Sequence, residues 1–224
     1  MCEARPARSS RRGHRERKSV AALGPAGDDG QAGLSLEIYL ARHGETEWSL
    51  SGRHTGSTDL PLTPHGEQQA ASLEDRLKKI HFDAVYSSPL QRARRTAELA
   101  GFPKPELTPL LEEIDYGDYE GKTTKEIHQL RPPWELYKDG CPGGETPERM
   151  HARAEAFITL ACKRAPANGR VLAFSHGHFL RAVGITWMGL GIKAAGALHL
   201  DVATLSILRQ GDDKARVLAM WNAP

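Results

Sequence analysis

The chain has 224 residues, 39% of them hydrophobic and 26% charged, with a formal net charge of +2. That is enough apolar sequence for one sizeable core and too mixed a composition for global disorder. No apolar run approaches the roughly 18 residues of a membrane span, and the overall charge calls for no polyanionic partner.

The charge is unevenly placed. Residues 1–20 carry seven Arg or Lys (Arg5, Arg8, Arg11, Arg12, Arg15, Arg17, Lys18) against Glu3 and Glu16. The remainder is therefore mildly acidic, and any steering of an anionic substrate has to be local. Residues 1–34 lack apolar periodicity and read as a disordered basic arm, with residues 35–224 as a single folded domain. The arm has no apolar stretch of the kind a secretory signal needs. It leaves a small opening for nucleic acid or an anionic surface; otherwise no nucleic-acid or membrane partner is expected. Cys2, Cys141 and Cys162 are odd in number and widely spaced, so they form neither a disulfide framework nor a metal knuckle. A reducing, cytoplasmic setting is expected, with no metal and no cofactor.

From Leu36 the texture changes. "LEIYLA" reads as a strand. "LTPHGEQQAASLEDRLKKI" reads as a helix, with Thr63 as N-cap, Pro64 at the first helical position and Leu73, Leu77 and Ile80 on one face. "FDAVYSS" is a short strand, and "PLQRARRTAELAG" a helix from Pro89 to Gly101. Residues 121–144 show no clear period and read as an irregular lid or binding loop. "TPERMHARAEAFITLACKRA" is a helix capped by Thr146, with Met150, Ala154, Phe157, Ile158 and Ala161 inward. "RVLAFS" is an apolar strand, followed by the helical "HFLRAVGITWMGL". "ALHLDVATLSILR" and "RVLAMWN" read as a closing strand pair. The alternation predicts an α/β fold: a three-layer sandwich whose central sheet is mostly parallel, with helices on both faces and antiparallel pairing late in the chain.

In open α/β sheets ligands bind beyond the carboxyl ends of the strands, and three such ends carry unusual polar groups. The first ends in Arg42-His43-Gly44. The second is followed by Ser87, Ser88 and Arg92. The third ends in His176-Gly177. Two arginines and two histidines could thus meet. The planar guanidinium fork matches phosphate oxygens, and a neutral imidazole can attack phosphorus. A proton donor for the leaving oxygen is also needed, and a carboxyl suits. "LLEEIDYGDYEGK" offers Glu112, Glu113, Asp115, Asp118 and Glu120, and residue chemistry alone does not choose among them. "GDYEGKT" is not a P-loop, since it has three residues between its glycines and no apolar strand before it.

"RHGETEWS", "SSPLQRARRTAE", "LEEIDYGDYEG", "PGGETPERM" and "SHGHFLRA" together resemble the phosphoglycerate-mutase-like branch of the histidine phosphatase superfamily, in order from about Leu36 to Asn222. The resemblance implies that His43 is the phosphorylated nucleophile and that Arg42, Arg92 and His176 complete the phosphate pocket. It makes Glu113 the acid/base carboxylate, and Ser49, Thr55 and Gly56 residues that line the phosphate or substrate. Ser49 stands where the mutases usually have Asn. Mutases of this branch carry a long insertion after the "GDYEG"-like segment, with cations for a second acidic group. Here Gly121 to Pro142 is short, which favours a phosphatase. The resemblance is greatest to small acid or sugar-phosphate phosphatases, acting on small phosphorylated metabolites through a phosphohistidine. The alternatives are mutase-type phosphoryl transfer and a non-catalytic phosphoester-binding protein. Oligomeric state is left open.

Overall fold

The alternation of side chains along one strand sets the layers. The computed structural model describes residues 36–166 and 168–224, so the arm expected over residues 1–34 lies outside the described residues. In strand β1 (Leu36–Arg42) the five central residues are buried. Ile38 and Leu40 enter one apolar cluster, Tyr39 and Ala41 the other. Successive strand residues face opposite ways, so this strand requires cover on both faces of its sheet.

The chain continues through α1 (Glu47–Ser51), α2 (Pro64–Leu77), β2 (Ala84–Ser87), α3 (Gln91–Leu99) and the short β3 (Glu106–Leu107). Then come α4 (Thr124–Leu130), α5 (Leu136–Asp139), α6 (Pro147–Arg164), β4 (Arg170–Ser175), α7 (Gly177–Trp187), β5 (Leu205–Gln210) and β6 (Arg216–Ala223). The six strands form one sheet in the order β3-β2-β4-β1-β5-β6. The first four run parallel; β5 is antiparallel to β1, and β6 to β5. Leu73 and Leu77 of α2 with Ala97 of α3 cover one face. Phe157 and Ile158 of α6 with Phe179 and Val183 of α7 cover the other. This is the three-layer α/β architecture expected from the sequence. No helix of the described residues is long and apolar enough to cross a membrane.

Three boundaries differ from the sequence reading, each for a local reason. The helix expected from Pro89 begins at Gln91, because the Asp59 carboxylate accepts the Gln91 amide at 2.8 Å and caps the helix there. The strand expected from Ala197 begins at Leu205. Residues Ile192–Ala197 instead form a 3-10 turn, and Ala203 has φ 52°. The irregular segment contains two short helices. Thr123 and Glu126 form a reciprocal capping box that starts α4, and α5 follows Trp134.

β1 and β4 are in register with Arg42 opposite Ser175. The His43 amide donates to Ser175 O at 3.0 Å, and the Ser88 amide to Phe174 O at 3.0 Å. The carboxyl ends of β2, β4 and β1 therefore lie side by side. This is the edge at which parallel sheets hold ligands. Phe157 is fully buried, with its ring edge-on to Tyr86 of β2 at 6.3 Å. Phe157→Ala is expected to cost about 3–5 kcal/mol, read from a fall in the urea midpoint of unfolding.

Candidate active site

Each of the three strand ends delivers one polar group. His43 follows β1 and is 5% exposed. Its Nδ1 lies 2.7 Å from Gly44 O, which can only accept, so Nδ1 carries the proton. Nε2 makes no hydrogen bond with any described residue and is left to the cleft. Burial, then the charges of Arg92 and Arg42, push the His43 pKa well below the ordinary histidine value. The imidazole is therefore neutral at neutral pH, with its lone pair on Nε2.

His176 follows β4 and is fully buried beside it, the two rings 5.1 Å apart. Arg92 Nε donates to His176 Nδ1 at 3.0 Å. The His176 proton is thus on Nε2, 2.8 Å from Ser88 Oγ after β2. Burial, reinforced by Arg92 and His43, holds His176 well below its usual pKa too.

Arg92 sits in the first turn of α3 with no exposed surface. Its Nη1 donates to Thr58 O at 2.9 Å, and its Nη2 to Gly56 O at 2.9 Å and Thr55 O at 3.2 Å. Those carbonyls are aimed by Glu120, whose carboxylate accepts the amides of Gly56 and Thr58. Only glycine fits at 56: an added Cβ would lie 2.6 Å from Ile114 O. Arg42 ends β1 and donates through Nη1 to Leu200 O, while its buried Nε has no partner. Its guanidinium lies against Gly177, where a Cβ would fall 2.9 Å from the guanidinium carbon. Burial lowers both arginine pKa values, with Glu113 opposing the effect. Arginine nonetheless stays charged.

Glu113 closes the group. It is 9% exposed and follows the 3-10 turn Pro109–Leu111. Oε1 accepts the amides of Ile114 at 2.9 Å and Phe179 at 2.8 Å, and Oε2 accepts that of His178 at 3.0 Å. Two of these donors are in the first turn of α7, so Glu113 caps that helix from outside. Burial raises its pKa above the ordinary glutamate value, and the three amides only partly offset this. The segment leading to it is pinned by Arg153 of α6, which donates to Leu110 O, Glu112 O and Glu113 O and pairs with Glu145 at 2.7 Å.

Arg42, His43, Ser49, Thr55 and Glu113 share the wall of one cleft of about 60 Å³. Arg92 and His176 are buried beside His43 and not on that wall. Ser49 is in α1, where its hydroxyl also completes a capping box with Thr46. Gly56 has its amide on Glu120 and its carbonyl on Arg92, which makes it a support for the arginine. Glu112, the rival to Glu113, is half-buried and does not line the cleft. Sequence reasoning did not anticipate Thr46, Arg53 and Tyr116 on the wall, nor the work of Glu120, Glu145 and Arg153. His54 and His178 are also on the wall; Tyr116 Oη and His178 Nδ1 share a 2.6 Å hydrogen bond.

A neutral imidazole beside two guanidiniums, sharing a cleft with a carboxyl at the carboxyl edge of an α/β sheet, defines a phosphoester-processing enzyme. The family model for the histidine phosphatase superfamily (branch 1) matches residues 38–223, and the chain belongs to that superfamily. It is 40% identical over 191 residues to an acid phosphatase of Mycobacterium tuberculosis, covering 84% of this chain and 94% of that one. It is 36% identical over 196 residues to a sedoheptulose 1,7-bisphosphatase of Saccharomyces cerevisiae, covering 71% and 70% of the two chains. The solved structure of an open reading frame product from Mycobacterium tuberculosis superposes with a TM-score of 0.79 at 38% identity, covering 84% of this chain and 97% of that one.

The electrostatics predict a spectroscopic outcome. In a ¹⁵N-labelled histidine spectrum, His43 is expected as the Nδ1–H tautomer, with its titration midpoint below 6.5. A midpoint at or above that value would mean that the two arginines do not act on it.

Proposed function

We propose that the chain is a phosphomonoesterase that works through a phosphohistidine on His43, on small phosphorylated metabolites such as sugar phosphates. The observation that carries this reading is the Nε2 lone pair of a neutral His43, beside the cations Arg42 and Arg92 and sharing its cleft with a carboxyl of raised pKa. The names of the two relatives, an acid phosphatase and a sugar bisphosphatase, support it.

The phosphoryl group enters the cleft against Arg42. Arg92 adds its charge from behind the wall, with its Nε held by His176. The two guanidiniums stabilise the equatorial oxygens, which is most of what phosphoryl transfer asks of a protein. The Nε2 lone pair of His43 forms the N–P bond. The P–O bond to the leaving group breaks, and the electron pair goes to that oxygen. Glu113, protonated, supplies its proton, and an alcohol departs. In the second half, ionised Glu113 takes a proton from water as the water oxygen bonds to phosphorus. The P–N bond breaks, its electrons return to Nε2, and inorganic phosphate is released. Gly44 O keeps the Nδ1 proton in place throughout, so the same nitrogen attacks and leaves. Ser49 and Thr55 offer hydroxyls at the rim.

Two measurements test this. His43→Ala is expected to abolish turnover, and Glu113→Gln to slow it by about 10²–10⁴-fold, most for poor leaving groups. Wild-type turnover by His43→Ala would overturn the assignment. The second is the pH profile of kcat/KM. His43 must be unprotonated, and its pKa is lowered, so the acid limb should fall below pH 6.5. Glu113 must be protonated, and its pKa is raised, so the alkaline limb should lie above pH 4.5. A bell-shaped curve is expected, and its alkaline limb should be lost in Glu113→Gln.

A further inference from the structure

The two guanidiniums of the site are not equally secured. Arg92 has four partners: His176 Nδ1, Thr58 O, Thr55 O and Gly56 O. Arg42 has one among the described residues, Leu200 O, and its buried Nε has none. The direction of the Arg42 fork therefore depends on where the chain holds a single carbonyl.

That carbonyl belongs to residues 198–204, which form neither helix nor strand between the 3-10 turn Ile192–Ala197 and β5. The same segment holds the end of β1. Thr204 O accepts the Arg42 amide at 3.2 Å, and the Ala203 amide donates to His43 O at 3.0 Å. Ala203 has φ 52°, a conformation that a residue with a Cβ keeps only when its surroundings impose it.

The constraint comes from β6. Asn222 Oδ1 accepts the Asp201 amide at 2.7 Å, and Asn222 Nδ2 donates to Asp201 Oδ2 at 2.8 Å. Trp221 Nε1 donates to His199 O at 2.6 Å. The Asp201 N–H and the Leu200 C=O are two ends of one planar trans peptide group and point in opposite directions. A bond that fixes the N–H therefore aims the C=O, and it also polarises that oxygen toward Arg42. Asn222 is itself well fixed. The β5–β6 register shifts between Leu205 and Ile207, so that Trp221 and Asn222 stand where β5 has only Ser206. Such a bulge re-aims a side chain. Asn222 has φ 55°, which asparagine tolerates better than most residues. Its amide donates to Ser206 Oγ at 3.0 Å, and Arg76 of α2 donates to Ala223 O at 2.9 Å.

We infer that Asn222 is a positioning residue for phosphate binding: through the Leu200–Asp201 peptide group it aims the Arg42 guanidinium into the cleft that holds His43. This rests on the phosphatase reading above, in which Arg42 receives the phosphoryl group.

Asn222→Gly tests it, since glycine keeps the positive φ at ease and removes only the amide. In the full chain, kcat/KM for p-nitrophenyl phosphate and affinity for inorganic phosphate should each fall roughly tenfold, the size of two modest hydrogen bonds. The His43 titration midpoint should rise toward 6.5, because Arg42 is one of the two charges that hold it down. In an Arg42→Met background the same change should alter phosphate affinity less than about twofold. Asp213→Ala, which frees the Ala215 amide at the other end of the same hairpin, should move none of these quantities. Asn222→Asp alone opposes two carboxylates and should lose as much as Asn222→Gly. Combined with Asp201→Asn it keeps both hydrogen bonds with the roles exchanged and should recover most of the loss, which decides the matter if Asn222→Gly misfolds. Wild-type phosphate affinity and His43 midpoint in Asn222→Gly, an undiminished loss in the Arg42→Met background, or no recovery in the exchanged pair would overturn the inference and leave the phosphatase reading standing. Absence of phosphomonoester turnover by the wild type would remove that reading alone, since phosphate affinity and the His43 midpoint still decide this one.

Discussion

Two guanidiniums without carboxylate partners among the described residues, Arg92 fully buried and Arg42 at the cleft wall, are the constraint from which the rest of the site follows. Burying an unpaired charge costs several kcal/mol. Neither Arg42 nor Arg92 has a carboxylate partner within ion-pair distance among the described residues. Neutral carbonyls hold them instead: Leu200 O for Arg42, and Thr55 O, Gly56 O and Thr58 O for Arg92. Carbonyl dipoles satisfy N–H groups without cancelling the charge. The field therefore remains for whatever enters the cleft, and until then it acts on His43. A salt bridge at either arginine would have made a more stable protein and a poorer anion site. The loop geometry follows from this need. Glu120 is placed one step away, on the amides of the loop and not on the guanidinium, so it fixes the carbonyls without neutralising Arg92.

Glu113 is the same problem with the sign reversed. A carboxyl at the start of a helix, accepting three amides, would ordinarily be held ionised. Here burial opposes the amides and prevails, and the pKa moves upward. The raised pKa suits a group that must give a proton in one half of a reaction and accept one in the other. Rigidity comes from behind. Arg153 holds the carbonyls of Leu110, Glu112 and Glu113, pairs with Glu145 on its far side and lies 4.0 Å over the Phe179 ring. Phe179 also donates its amide to Glu113, so α6, α7 and the acid move as one unit.

The layers were legible because period-2 and period-3.6 patterns report burial, and burial decides layers. Ile38 and Leu40 against Tyr39 and Ala41 is such a pattern, and Thr63-Pro64 and Thr146-Pro147 are helix starts that need no tertiary help. Where the sequence reading slipped, a distant group had set the boundary. Asp59 starts α3 two residues after Pro89, and β5 begins late because the chain before it turns Leu200 O toward Arg42. The site was legible for residues at strand ends, since strand order brings β2, β4 and β1 together. Glu113 needed the family resemblance, because Glu112 has the same local chemistry and only burial separates them. Glu120 and Arg153 act through backbone groups, and nothing in residue type announces that.

His178 joins these arguments. It is the second residue of α7, so its amide belongs to Glu113 and its side chain is on the cleft wall. The Tyr116 hydroxyl holds Nδ1, and the Tyr137 hydroxyl donates to its carbonyl at 2.8 Å. Both tyrosines are buried, and burial raises their pKa values, Tyr137 above the range in which a protein titrates and Tyr116 well above its usual value. They stay protonated, which fixes the ring. An imidazole held this way can discriminate by geometry, because its free edge is presented at one place and one angle. Discrimination of a leaving group and placement of its proton donor thus depend on the same turn of α7. A substitution that moves the first turn of α7 would therefore disturb the ring of His178 and the acid Glu113 together.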